Sequence, residues 1–462
     1  MRFFLDLRSI SLLLVLVTSL FTQSCAQVSN KIEIRTVNQL GDGYAMSLEP
    51  ISISGFAGLH SFAGARFEGK WLLVGGRTDG LHRRQPFASF ATSGNNTNLI
   101  VIDPESKQSW SASVNDLPIA IAEQLQSTNM QFIQRGNTLY LIGGYGFSKT
   151  AGNHVTHNKL TAVKVDCLIP AVQKGTATSA CFRQISDPMF AVTGGQIGRI
   201  GETYYLVGGQ KFDGRYNPMG PDHGPGFSQQ YSEQIRKFRI IDDKANLSIS
   251  KGDLVTDKDL LHRRDFNMLP QIFPNDQVGF TVFSGVFQPT ANIPFTDTVN
   301  ILSEKHRVEG AFTQYLNHYH SAKVALFDAA NKRMNNVFFG GMSQFEESAG
   351  TLTKNDDVPF TKVIGNVTRD KDGKMSETKI GDMPGFLGAS AEFFPDPKLP
   401  MYEGEIIKLN ELKGDRVLLG YIVGGLLSSR KSIFFSNSGA ESEASKMVFR
   451  VWLLRNASVA GD

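Results

Sequence analysis

The chain has 462 residues, 41% of them hydrophobic and 20% charged, and a formal charge of only +3. That balance excludes a strongly basic nucleic-acid binder and an acidic disordered tail as readings of the whole chain. Gly (45) and Phe (33) are both plentiful, which suits many tight turns around a sheet-rich core.

The first element is a targeting segment. Arg2 and Arg8 flank the start of an apolar run from Ile10 to Leu20, broken only by Ser11, Thr18 and Ser19. The run is too short to span a bilayer and fits a secretory h-region. Two cleavage readings stay open. Ser24-Cys25-Ala26 is small-x-small, so cleavage after Ala26 leaves residues 27–462 as one mature domain. Alternatively, Thr22-Gln23-Ser24-Cys25 is a relaxed lipobox that makes Cys25 a lipidation candidate, with Thr22 where Leu is usual. Both readings export the protein by a Sec-type signal, to the periplasm, the outer-membrane surface or the extracellular space. No other stretch is expected to span a membrane.

The mature chain keeps two cysteines, Cys167 and Cys181. An even pair in an oxidising compartment reads as a disulfide, contributing about 3 kcal/mol for a loop of this size. Two cysteines without histidines at ligand spacing are too few for zinc.

From residue 71 onward one phrase recurs: an apolar run ending in Gly-Gly. It reads WLLVGG (71–76), LYLIGG (139–144), YYLVGG (204–209), VFFGG (337–341) and GYIVGG (420–425). A weaker copy, FTVFSG (280–285), has Ser284 in place of the first Gly. Each copy follows a strand and a polar turn and precedes a long Gly-, Ser-, Asn- and Pro-rich segment. Two more strands joined by a tight turn then follow. Asn98–Ser111, 237–250 and 360–380 show that hairpin clearly, the last with Asp372-Gly373 at its tip. Residues 161–185 read as the same hairpin with an enlarged tip, closed by the disulfide. No stretch reads as a convincing helix.

Four strands per unit and six units predict an all-β, six-bladed β-propeller. The strand ending in Gly-Gly, the strand running into Asp103-Pro104 and Trp110 six residues beyond resemble a kelch repeat. The resemblance covers nearly all of residues 27–462 and implies antiparallel four-stranded blades. After MVFRVWLL (447–454) the last blade lacks a strand, and KIEIRTV (31–37) is expected to supply it and remove two open edges.

The long segments after Gly-Gly should crowd one face, where binding usually resides. Polar and aromatic residues concentrate beside them. His60, Asn129, Arg264, Asp265, Asn267, His318 and His320 lie near the starts of first strands, and Arg77, Tyr145, Gln210, Gln288 and Gln344 just after the glycines. Arginine pairs in 81–84 and 261–265 suit a carboxylate or phosphate. On a strand, His318 and His320 would share a face. Without a third ligand they make too small a set, so neither metal nor cofactor is expected. There is no Gly-x-Ser-x-Gly, no His-Glu-x-x-His and no phosphate-binding Gly loop followed by Lys.

The expectation is therefore an exported, monomeric kelch-type propeller that binds a protein or glycan through its long-loop face and does not bind nucleic acid. Two alternatives remain: an enzyme similar to sialic-acid mutarotases, acting on an acidic sugar, and a structural component of an envelope assembly. A copper radical oxidase of the galactose-oxidase type is disfavoured, because Cys167 and Cys181 are the only mature cysteines and are placed away from the binding face. A pocket binder requires converging Arg and His; a protein platform would use an aromatic rim such as Phe87, Phe90, Phe147 and Phe227.

Overall fold

Runs of alternating apolar residues, bounded by turns rich in Gly, Asn and Asp, fold into strands that group as antiparallel meanders of four. The computed structural model describes residues 35–36, 40 and 43–455, apart from positions 225, 244, 304, 309 and 349. The expected targeting segment, with Cys25, lies outside the described residues.

The first meander comprises Ala63–Phe67, Lys70–Val74, Asn98–Asp103 and Gln108–Ser113, paired in that order. The second comprises Gln131–Arg135, Thr138–Ile142, Lys159–Lys164 and Phe182–Ser186. The third comprises Gln196–Ile200, Thr203–Val207, Gln234–Asp242 and Leu247–Thr256. The fourth, built on the Ser284 copy, comprises Asn267–Ile272, Val278–Phe283, Thr298–Ile301 and His306–Val308. The fifth runs through Ala322–Asp328, Arg333–Phe339, Val363–Arg369 and Met375–Asp382. The sixth has Ala391–Pro395, Arg416–Gly424 and Val448–Arg455, and its fourth strand comes from the other end of the chain.

That closing strand is Tyr44–Ile51, antiparallel to Val448–Arg455 from Tyr44 opposite Arg455 to Ile51 opposite Val448. The sequence placed it at 31–37. The two described residues of that stretch, Arg35 and Thr36, instead pair in parallel with Thr378 and Lys379 on the fifth meander. Tyr44–Ile51 keeps half-buried residues along its length, and Glu49 binds Arg450 and Trp452 of the partner strand at 2.9 and 2.8 Å.

Apolar side chains from consecutive meanders interlock. Leu72, Val101, Leu139 and Val163 join the first to the second. Tyr140, Leu160, Tyr204 and Phe238 join the second to the third. Similar clusters link the third to the fourth, the fourth to the fifth and the fifth to the sixth. Trp71, Leu73 and Ile102 of the first meander pack on Phe394, Val423 and Val448 of the sixth. Full burial of one such side chain contributes about 1.5–3 kcal/mol.

Two helices depart from the sequence reading: Ile119–Leu125 and Val165–Lys174. The second occupies what read as an enlarged hairpin tip. Val165, Leu168, Ile169 and Val172 are buried at helical spacing against the first meander. Asp166 lies in its first turn, Lys174 in its last, and Gly175 ends it at φ 65°. Pro170 inside the helix disguises the pattern. The Cys167–Cys181 disulfide ties this helix to the strand beginning at Phe182.

The long segments after the glycines are also more ordered than expected. Tyr145–Ser148 pairs with Asn153–Thr156, and Gln210–Gly214 with Phe227–Tyr231. These hairpins join through Val155 and Asp213 into one four-stranded sheet. Shorter hairpins follow the fifth and sixth copies, Phe345–Ser348 with Thr351–Lys354 and Leu426–Ser428 with Ser442–Ala444. Among the described residues, no helix is long and apolar enough to cross a membrane.

Candidate functional site

The glycine pairs are spent on joining neighbours. The first residue of each pair sits at positive φ, between 54° at Ser284 and 67° at Gly424. A Cβ at Gly143 would stand 2.0 Å from the Val192 carbonyl oxygen, so only Gly allows that approach. The N–H of the second glycine then donates across: Gly76 to Ser127 O, Gly144 to Val192 O and Gly209 to Arg263 O, all at 2.9 Å. Gly341 to Leu387 O and Gly425 to Leu59 O repeat the bond.

This close approach sets up a second repeating device. Just before each first strand one residue adopts positive φ: Ser61, Asn129, Gly194, Asp265, His320 and Ser390. Their backbones bond to one another. Ser61 N donates to Ser390 O, Ser390 N to His320 O, His320 N to Asp265 O, and Asp265 N to Gly194 O. Gly194 N donates to Asn129 O, and Asn129 N returns to Ser61 O. Six bonds of 2.6–3.3 Å thus link six residues, one from the approach to each meander. The residue before each bonds the residue after the glycine pair, as His60 does Arg77, Thr128 does Tyr145 and Arg264 does Val286.

A cavity of about 110 Å³ opens on this cycle. One wall carries His60, Arg77 and His82, and the other Arg264, Asp265 and Tyr319. An adjoining cavity of about 50 Å³ shares Ser61, Asn129, Asp265 and His320 and adds Glu392, whose Oε1 lies 3.8 Å from His320 Nε2.

On the first wall the Arg77 guanidinium is satisfied within the fold. Arg77 Nε donates to Asp79 Oδ1 at 2.8 Å and Nη2 to Asp79 Oδ2 at 2.5 Å. Nη1 reaches Asn95 Oδ1 at 2.8 Å, and Nη2 also bonds Ala91 O. Burial works against the Asp79 charge, but His60 and Arg77 outweigh it and hold the carboxyl at about 2. Burial pushes His60 below its ordinary value and His82 down to about 4, so both are neutral near pH 7. His82 stacks on Phe90 at 5.3 Å and meets Tyr216 edge-on.

The Arg264 guanidinium is not. Arg264 is 9% exposed, and among the described residues its guanidinium makes no hydrogen bond. Its contacts are Asp265 Oδ2 at 3.8 Å and the rings of Phe287 and Tyr216 at 5.2 and 6.0 Å. Burial opposes its charge, yet Tyr231, Tyr319, Tyr216 and Asp265 raise its pKa overall. Asp265 is occupied elsewhere, accepting from Asn129 Nδ2 at 3.2 Å and from Tyr319 Oη at 3.1 Å. Burial, then Asp265, push the Tyr319 phenol well above its ordinary value.

Of the residues singled out in the sequence, His60, Arg77, Asn129, Tyr145, Gln210, Arg264, Asp265 and His320 line the cavity. Several of these are internally paired: Tyr145 Oη donates to Gly214 O at 2.9 Å, and Gln210 Oε1 accepts from Gln229 at 2.6 Å. Four others lie outside it, among them Gln288, whose Nε2 donates to Pro294 O at 2.7 Å. Asn267 is buried against His318 O and Ser321. His318 Nδ1 donates to Gly340 O at 2.8 Å and stacks on Phe338, with burial lowering its pKa to about 4. Gln344 bonds Asp356 at 2.6 Å. The period-two argument for His318 and His320 fails because both have positive φ, 47° and 35°, rather than extended backbone. Among the described residues no three His, Cys, Asp or Glu side chains are grouped to hold a metal ion.

Ser61, Thr128, Thr193, Gly194, Tyr319 and Ser390 also line the cavity and were missed. A signal existed in the first three repeats, where the cycle residue stands 15 positions before the second glycine: Ser61 to Gly76, Asn129 to Gly144 and Gly194 to Gly209. No protein-family model matches the chain, and no curated protein matches it either.

Proposed function

We propose that the protein is an exported kelch-type β-propeller whose six meanders are its blades, and that it binds a protein or glycan through the face carrying the long hairpins. The packing of the sixth meander on the first and the cycle of six backbone bonds support the blade arrangement. The recurring Gly-Gly strands support the kelch resemblance.

One observation carries the binding reading: Arg264 is buried beside the cavity with no hydrogen-bond acceptor for its guanidinium. A buried cation is costly until an anion meets it, and a guanidinium fits a carboxylate in two-pronged fashion. A volume of about 110 Å³ holds a group of carboxylate size, since whole small-molecule ligands occupy roughly 300–1,000 Å³. The ligand therefore inserts an acidic group and rests its remainder on the hairpin rim.

The test is thermal unfolding with N-acetylneuraminate, glucuronate and neutral glucose. The acidic sugars should raise the midpoint, with about 2.7 kcal/mol of stabilisation at a hundredfold excess over the dissociation constant, and Arg264→Met should abolish the rise. Equal shifts with glucose, or shifts that persist in Arg264→Met, would exclude this role. An acidic sugar mutarotase is a second reading, favoured by the neutral His60, whose Nε2 has no hydrogen-bond partner and lines the same cavity. Polarimetry of freshly dissolved N-acetylneuraminate separates it: acceleration that His60→Gln removes indicates catalysis, and an uncatalysed rate indicates binding alone.

A further inference from the structure

A cavity of about 810 Å³ runs along the seam between the second and third meanders, beside the sheet made by the 145–156 and 210–231 hairpins. Its size falls within the range of whole-ligand pockets, unlike the central cavity. Its lining is rich in hydroxyl and amide side chains, among them Ser148, Thr156, Asn158, Gln230, Ser232 and Gln234.

Its charges are unevenly matched. Lys211 pairs with Asp213 at 3.0 Å and Lys251 with Asp187 at 2.7 Å, while Lys237 sits 3.8 Å from Asp253. Glu123 is engaged by Ser148 Oγ and by the N–H and hydroxyl of Thr150, each at 2.9 Å. Two cations remain without a carboxylate partner among the described residues. Lys159 Nζ donates to Ser186 Oγ at 2.7 Å. Arg236, 8% exposed, donates from Nε to Gln234 Oε1 at 3.0 Å and from Nη1 to Met189 O at 2.5 Å. Both of its acceptors are neutral, among the described residues Nη2 makes no hydrogen bond, and the residue lines the cavity.

We propose that this groove is a second binding site, for an acidic saccharide whose carboxylate or sulfate is met by Arg236 and Lys159 and whose hydroxyls are met by the surrounding amides and hydroxyls. Neutral acceptors orient a guanidinium but leave its charge uncompensated, and a buried charge calls for a counter-ion. Burial lowers the Arg236 pKa to about 10, with no acidic neighbour to offset it. Placement follows from the strand. Arg236 lies on the same face as Phe238, which packs on Tyr204 in the core between the two meanders, and it carries that face out into the groove.

This site is independent of the central cavity, and its test separates the two. The full mature chain is titrated calorimetrically with digalacturonate, with a sulfated disaccharide and with neutral cellobiose. Saturable binding of at least one acidic probe is expected, with cellobiose inert; which acid binds identifies carboxylate or sulfate as the recognised group. Arg236→Met should weaken that binding about tenfold or more, as loss of a charged hydrogen bond does, and Lys159→Gln several-fold. The second variant keeps the test decisive should the first not fold. Failure of both acidic probes, equal binding of cellobiose, or unchanged affinity in both variants would overturn the proposal. Binding lost in Arg264→Met and kept in Arg236→Met would move the site to the central cavity and overturn it as well.

Discussion

Arg77 and Arg264 occupy equivalent walls of one cavity and are buried to a similar degree, 3% and 9% exposed. They differ in what surrounds the guanidinium. Arg77 has Asp79 two residues on and Asn95 across the following loop, and every wall-side donor finds an oxygen. Arg264 has Asp265 adjacent, but that carboxylate accepts instead from Asn129 and Tyr319. The lesson is that a buried arginine in a pocket is not in itself a binding residue. One whose donors are all met within the fold is a strut; one whose donors are left unmet is, under the reading proposed above, a candidate to meet a ligand.

The comparison breaks most readily at the carboxylates. Asp79→Ala would strand the buried Arg77 guanidinium without its anion, at a cost of about 3 kcal/mol, the low end of the penalty for stranding a buried charge, because Asp79 is itself 41% exposed and screened. Asp265→Ala removes acceptors from Asn129 and Tyr319 but only a 3.8 Å neighbour from Arg264, so about 1–3 kcal/mol is expected. Urea denaturation midpoints measure both, and a larger loss for Asp265→Ala would invert the argument. The arginines themselves sharpen it. Arg264→Met should leave stability within about 1 kcal/mol, because the guanidinium makes no hydrogen bond among the described residues and keeps only a 3.8 Å ion pair whose gain burial opposes. Arg77→Met should cost about 2 kcal/mol by orphaning Asp79 and Asn95. Equal losses in the two variants would mean that Arg264 is a strut too.

The strands were legible because an alternating pattern and a repeated Gly-Gly phrase leave few other folds for the same residues. The cavity wall was legible where it followed that phrase directly, as at Arg77, Tyr145 and Gln210. The distinction between the two arginines was not, since it depends on where Asp79, Asn95 and Tyr319 arrive after the loops fold. His318 was expected to share a face with His320 because a strand-like alternation was assumed, and both positions turn to positive φ; Asn267 is occupied by His318 O and Ser321. The closing strand was misplaced for a related reason. Residues 31–37 alternate more cleanly than Tyr44–Ile51, but Tyr44–Ile51 contributes Ile51 to the core between the first and sixth meanders, and its Glu49 finds Arg450 and Trp452.

The smallest expected effect is the Asp79 share of acid stability. His82 and His318 have folded pKa values of about 4, lowered by burial from the ordinary 6.5. The unfolded chain takes up their protons first, so stability falls as pH drops from about 6.5 to 4, at most about 1.4 kcal/mol per pH unit for each. Asp79 acts lower. Its folded pKa of about 2 lies below the ordinary 3.8, so its stabilisation is present above pH 4 and is lost as pH falls from about 4 to 2. The side chain is 41% exposed, and solvent screening keeps that share small. Asp79→Asn should therefore flatten the stability curve below pH 4 and leave its slope between pH 6.5 and 4 intact. Denaturation midpoints at half-unit pH steps read both limbs. If the segment below pH 4 survives in Asp79→Asn, the Arg77–Asp79 pair is not the strut that distinguishes its wall from that of Arg264.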